Sequence, residues 1–322
     1  MKRRWLIAFA GALVMIAVFP ADVYAWTPAT HIFLGESVLA NLEQLPDAVA
    51  ALLRAFPYDF LYGNIAADTS MAKKYAPVGR HCHSWHVGQE IYDQAETDPL
   101  RAFGWGYLAH LAADTVAHNY FVPRQLVVTS RTIALGHSYW ESRFETQLGP
   151  QYATTAMDVI RLGHGAADGH LDQILAPTVF SVRTSRRLFR GMVGVTETQS
   201  WQRVVRLADE KSRWNIADAD MERYMGAAFQ YVMELLGVER DPAPRRLDPA
   251  GESSLRLAKK MRLDVVKGLL SPPVAELEQM AEEHFAVPSV PVPYWTSSDA
   301  HRPWKSNSTR RVTDEEHPGS KS

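Results

Sequence analysis

An all-α fold is the class this sequence predicts, and three observations predict it. Apolar residues recur at helical spacing along most of the chain, as at Met221, Met225, Phe229, Val232 and Leu235. Strict alternation of apolar and polar residues is sustained nowhere, so no strand domain is expected. Start and stop signals stand where helices need them, as in Asp98-Pro99 and Gly149-Pro150. The expectation is a multi-helix bundle.

The chain opens with Lys2-Arg3-Arg4, an apolar run from Trp5 to Phe19, and Ala21-Asp22-Val23-Tyr24-Ala25. A charged start, a short apolar stretch and small residues at a cleavage point read as a signal peptide over 1–25. Export to the periplasm or the medium is therefore expected, with Trp26 as the new N-terminus; an uncleaved anchor is the alternative. Helices are expected from about His31 to Glu43 and from Leu45 to Phe56, broken by Pro46. A short apolar run from Phe60 ends at Asp68, before an irregular loop from Ser70 to Arg80 that contains Lys73 and Lys74. A helix is expected over about 87–97. The next, from Pro99 to about Phe121 and ended by Pro123, is apolar on most sides, as a central helix must be. Further helices are expected over 133–148, 153–163, 179–190, 201–214 and 217–237. The stretch 165–169 reads as loose, with His164 and His170 at the surface. The Pro- and Arg-rich stretch 241–251 reads as a linker, with helices beyond it over 253–270 and 273–285. A helical domain over 26–285, with its core complete by about 240, leaves 286–322 as a tail too polar and Pro-rich to build a core.

Lys plus Arg number 34 and Asp plus Glu 36, so the charge is near balance and gives no electrostatic case for a nucleic-acid partner. Cys82 is the only cysteine, which excludes an intrachain disulfide. It stands between two histidines and reads as a bystander, with a soft metal ligand as the alternative. Seven of the twelve histidines fall between His31 and His137. That clustering points to metal.

The helix through Gly106 carries His110, Asp114 and His118 four residues apart, on one face of an otherwise apolar segment. A buried row of imidazole and carboxylate needs a partner, and a metal ion satisfies both. His137 and Glu141 repeat the four-residue spacing. Asp68 closes an apolar run, and His81, His83 and His86 share a loop. Trp26 would offer a free amine and its carbonyl near His31 once the chain is cleaved. The candidate ligands are thus Trp26, His31, Asp68, His83, His110, Asp114, His118, His137 and Glu141, with His81 as substitute for His83. Nitrogen and oxygen donors without thiolate suit zinc, and this many donors imply two or three Zn2+ ions.

Taken in order, Trp26, His31, Asp68, His83-Ser84-Trp85, His110-x-x-x-Asp114, His118 and His137-x-x-x-Glu141 resemble the motif series of the bacterial zinc-dependent phospholipases C. Single-strand-specific zinc nucleases share that superfamily. The resemblance implies a helical bundle of the zinc-dependent phospholipase C type. It implies a phosphodiester hydrolase that releases diacylglycerol and a phosphorylated headgroup through a zinc-bound hydroxide, with contact to a membrane surface. It assigns Asp68, His83, His110 and Asp114 to one ion, and Trp26, His31 and the bridging Asp114 to another. His118, His137 and Glu141 take the third, and Asp68 is the catalytic partner of the attacking water. This sequence departs from the family in having Ala66-Ala67 before Asp68 and only four residues from Asp114 to His118. A nuclease or nucleotidase and a non-catalytic zinc-binding envelope protein are the other readings.

Overall fold

The computed structural model describes residues 26–130, 132, 136–196, 216–237, 241–268, 270, 272–288 and 301–305. The expected signal peptide and the helix expected over 201–214 lie outside these residues. Among the described residues there is no strand, and the fold is all-α.

The organising element is α5, Asp98–Val116. Every residue from Ala102 to Val116 is buried, His110, Asp114 and Thr115 among them, as a stretch apolar on most sides requires. Around it stand α1 (Pro28–Leu39), α2 (Asp47–Ala55), α3 (Pro57–Ala66), α4 (Trp85–Asp93) and, from the far end of the chain, α11 (Asp218–Leu236). The tightest pairing is α3 on α5. It depends on two glycines. A Cβ on Gly63 would lie 2.1 Å from the Phe103 carbonyl oxygen, and one on Gly106 would lie 2.0 Å from that of Phe60. No other residue lets the two backbones approach so closely.

Pro123 does not end the long helix. The chain widens into a π-turn over Ala117–Phe121, and α6 (Val122–Val128) continues it with Pro123 in its first turn. The wider turn accommodates the proline, which has no N–H to give and whose ring would crowd the preceding turn of a regular helix. Asn119 Nδ2 donates to the Thr115 carbonyl within this turn. Next come α7 (His137–Leu148) and α8 (Pro150–Arg161); residues 133–135, where the first was expected to begin, lie outside the described residues. The stretch read as loose is instead helical, α9 (Gly165–Ile174), because Ala167, Leu171 and Ile174 give it a buried face that outweighs its glycines. His164 and His170, expected at the surface, are buried and satisfied at 2.7 Å by the carbonyls of Val159 and Ile91. Then come α10 (Val182–Thr196) and, after α11, α12 (Glu252–Val266) and α13 (Val274–Phe285).

Two stretches expected to be passive are not. The supposed linker carries a 3-10 turn over Ala243–Arg246, and its Leu247 carbonyl accepts from Trp85 Nε1 at 2.8 Å. In the supposed tail, His301–Lys305 packs on the bundle. Trp304 is fully buried with its ring 6.0 Å from that of Phe33, and Tyr152 hydrogen-bonds His301 at 2.8 Å. Composition argues against an independent core there, but one tryptophan joins a core already built.

Two substitutions probe this packing. Trp304→Ala should cost about 3–5 kcal/mol, the usual loss for an emptied aromatic site. A melting temperature equal to wild type would place Trp304 outside the core. Gly106→Ala should cost about 3 kcal/mol or more, since the clash is with backbone, and chemical denaturation would read it directly.

Candidate metal centre

The donors gather where α1, α3, α5 and α7 face one another. The closeness of α3 to α5 sets the first contact: the Asn64 carbonyl lies 2.7 Å from His110 Nδ1. A carbonyl can only accept, so Nδ1 carries the proton and Nε2 presents a lone pair inward. The same logic holds for His118, whose Nδ1 lies 2.6 Å from the Pro249 carbonyl. That carbonyl comes from the supposed linker. Gly251, in the left-handed region at φ 59°, turns the chain against His118; a Cβ there would stand 2.4 Å from the His118 carbonyl oxygen. His83 Nδ1 lies 3.2 Å from Cys82 Sγ, so the thiol is the buried neighbour that holds His83. Carbonyls or side chains behind the ligating imidazoles are what fix a metal site.

The inward atoms then converge. Asp114 Oδ2 is 3.0 Å from His83 Nε2 and 3.1 Å from His110 Nε2, while Oδ1 is 3.3 Å from His31 Nε2. Asp68 Oδ1 is 3.4 Å from His83 Nε2 and 4.0 Å from His110 Nε2. His31 and His110 stack at 3.8 Å between ring centroids. Asp68 sits in the 3-10 turn that ends α3, and His83 is brought to it by the loop before α4. His81 is not brought to the carboxylates: its Nδ1 accepts from the His83 backbone N–H at 3.1 Å. The second group is His118, His137 and Glu141. His137 Nε2 is 2.6 Å and His118 Nε2 3.7 Å from Glu141 Oε1. His118 reaches this group from only four residues past Asp114 because the π-turn begins between them. Trp26 is fully buried, stacked on Phe144 at 5.1 Å, with its ring edge toward His31. His86 is exposed and bonds the Gly79 carbonyl, away from the cluster.

These residues fit metal ions on their own chemistry. His110 Nε2 and His83 Nε2 face each other at 3.1 Å, each with its other nitrogen turned to a partner. Both nitrogens of His31, both oxygens of Asp114, Asp68 Oδ2, His118 Nε2 and Glu141 Oε2 are buried and have no hydrogen-bond partner. Buried groups this rich in lone pairs are costly without a cation. Burial holds His31 down to about 4, so its imidazole is neutral and ready to ligate. Burial pushes Glu141 up to about 8 despite His118 beside it, so an ionised Glu141 needs further positive charge. Within this chain, His83, His110, Asp114, Asp68 and His31 would hold ions at one end, and His118, His137 and Glu141 at the other.

Lys73 is the residue that sequence reading missed. Its ammonium donates to Asp68 Oδ1 at 2.6 Å and lies 3.3 Å from His83 Nε2. Burial is the largest influence and opposes its charge, but Asp68, Cys82 and Asp114 together hold Lys73 above the ordinary lysine value. Burial also raises Asp68, and Lys73, His110 and His83 together drive it well below the usual carboxylate range. A lysine in a polar loop reads as solvated, and the neighbouring Lys74 is indeed exposed. The signal for Lys73 is only its place five residues after Asp68.

A helical bundle with clustered histidines and carboxylates in its interior defines a class of all-α protein whose core is compatible with metal. The family model described as zinc dependent phospholipase C matches residues 30–175, and over that segment the chain is similar to that family. Every candidate ligand except Trp26 lies inside the match, whereas Pro249 and Gly251, which hold His118, lie outside it. Neither a curated protein nor a solved structure matches the chain. The His and Asp groups are compatible with zinc.

Removal of metal with a chelator should lower the melting temperature by several degrees, because a ligand bound only by the folded state stabilises it by mass action. Zinc should restore it. A melting curve indifferent to chelator and to added zinc would count against metal at these donors.

Proposed function

We propose that the protein is a zinc-dependent phosphoric diester hydrolase that acts on phospholipid, releasing diacylglycerol and a phosphorylated headgroup. The observation that carries this reading is the convergence of Asp68, His83, His110, Asp114 and His31 beside a second group, His118, His137 and Glu141, within a zinc-dependent phospholipase C domain. Zinc held there would supply Lewis acidity toward the phosphate oxygens and acidify water. Asp114 offers one oxygen toward His31 and the other toward His83 and His110, so its carboxylate stands at the centre of this donor group. Asp68 keeps Oδ2 free to accept a hydrogen bond from the attacking water and orient it toward phosphorus. The water oxygen forms the new bond to phosphorus, the bond to the glycerol oxygen breaks, and that oxygen leaves with a proton.

Trp26 joins the site as amine and carbonyl donor if the chain is cleaved after Ala25, which also implies export. No helix among the described residues is long and apolar enough to cross a membrane. Trp105, Tyr107, Phe121 and Trp140, aromatic residues near the motifs, are buried in the core and give no membrane-facing rim. Of the aromatic residues near the motifs, Tyr120 and Tyr139 are half-buried against the core.

Phosphatidylcholine dispersed in detergent should be hydrolysed by the protein and not by its chelated form. Asp68→Asn should lower kcat by on the order of 100-fold or more, the usual contribution of a group that handles the attacking water. Full turnover by Asp68→Asn would remove that role. Release of 5′-nucleotides from single strands, with phosphatidylcholine untouched, would move the chain to the nuclease branch.

A further inference from the structure

Lys73 brings a permanent cation into a group of donors that otherwise calls for metal. Its side chain is 7% exposed, and its ammonium is shared between Asp68 Oδ1 and His83 Nε2. The chain accepts strain to place it there. Ala72 is the only non-glycine residue with positive φ among the described residues, at 56°, and it starts the 3-10 turn Lys73–Tyr75. A left-handed alanine costs on the order of 1 kcal/mol. Of two adjacent lysines, this turn sends Lys73 inward and leaves Lys74 in solvent.

Charge limits how many ions the five donors accept. His31, Asp68, His83, His110 and Asp114 bring two carboxylates, so their formal charge is −2 when the imidazoles are neutral. Two divalent ions would raise it to +2, and Lys73 to +3, in a setting where uncompensated charge is expensive. One divalent ion with Lys73 leaves +1, which a single hydroxide neutralises. In the second group the ion-pair contacts of Glu141 among the described residues run to His118 and His137.

We propose that the Lys73 ammonium takes the place of one metal ion at the Asp68 corner. The five donors His31, Asp68, His83, His110 and Asp114 then hold one zinc ion, and the protein holds two in all. Lys73 is a positioning residue: it fixes Asp68 Oδ1 and sets the number of ions. This inference rests on the zinc reading above, and its test separates the two.

The test is metal stoichiometry, read by elemental analysis and by native mass spectrometry after reloading with excess zinc and removal of unbound ion. Wild type should retain two zinc ions per chain and His137→Ala one, which assigns the other ion to the five-donor group. Lys73→Met and Lys73→Gln should retain three, and Lys73→Arg, which keeps the charge, two. Helical circular dichroism checks that each variant is folded. Three ions in wild type, or two in both neutral variants, would overturn the role of Lys73 and leave the zinc reading standing. No retained zinc in wild type or in any variant would overturn both.

Discussion

The contact between Gly63 and Gly106 is the constraint on which the rest of the arrangement depends. Two helices whose backbones meet without side chains between them have one register available, because the carbonyls of Phe60 and Phe103 leave no room for sliding. That register puts the Asn64 carbonyl against His110 Nδ1, one residue after Gly63 and one turn after Gly106. It also fixes where α3 ends, and therefore where Asp68 stands relative to Asp114. A packing requirement of the core thus becomes a positional requirement of the donor cluster. A shift of a few ångströms would leave the carboxylates buried and far from their imidazoles.

The carboxylates and imidazoles impose the opposite kind of constraint. They weaken the fold unless something positive joins them, and the molecule meets this need in more than one way. Lys73 is covalently part of the answer and is present from the moment the chain folds. The remaining lone pairs are aimed inward by groups behind them, the carbonyls of Asn64 and Pro249 and the sulfur of Cys82. These backing groups come from far apart in sequence, so a donor set concentrated between residues 31 and 141 is completed by a carbonyl at 249.

Much of this was legible in the sequence. Helical spacing and the absence of alternation gave the all-α class, and the four-residue spacings located His110 with Asp114 and His137 with Glu141, because a regular helix maps spacing onto a face. Features that depend on tertiary context were not legible. The π-turn at Ala117–Phe121 leaves no pattern beyond a nearby proline, yet it directs His118 to the second group. Lys73 is read as solvated by every local rule, since only the fold places a carboxylate beside it. Trp304 lies in a stretch whose average composition hides one anchoring side chain. The linker at 241–251 fails for the same reason: Pro and Arg describe its surface, and the carbonyls that hold Trp85 and His118 belong to backbone, which sequence composition does not register.

The placement of Lys73 also defines what Asp68 can do. A general base works best when its basicity is matched to the surrounding pH, and an ammonium at 2.6 Å makes a carboxylate a poorer proton acceptor. What the ion pair gives in exchange is orientation. With Oδ1 fixed by Lys73, rotation of the carboxyl group is blocked, and Oδ2 points in one direction toward the cluster. On the proposed reading, a carboxylate held this way would serve as a ligand and as a hydrogen-bond acceptor that aligns water, with proton removal left to the charge of the ions. Glu141 stands in the reverse situation, with histidines rather than an ammonium beside it among the described residues and a carboxyl group that burial alone would keep protonated. The two ends of the centre therefore differ in kind. One is organised by the protein's own cation, and the other would become fully ionised only with a further positive charge beside it.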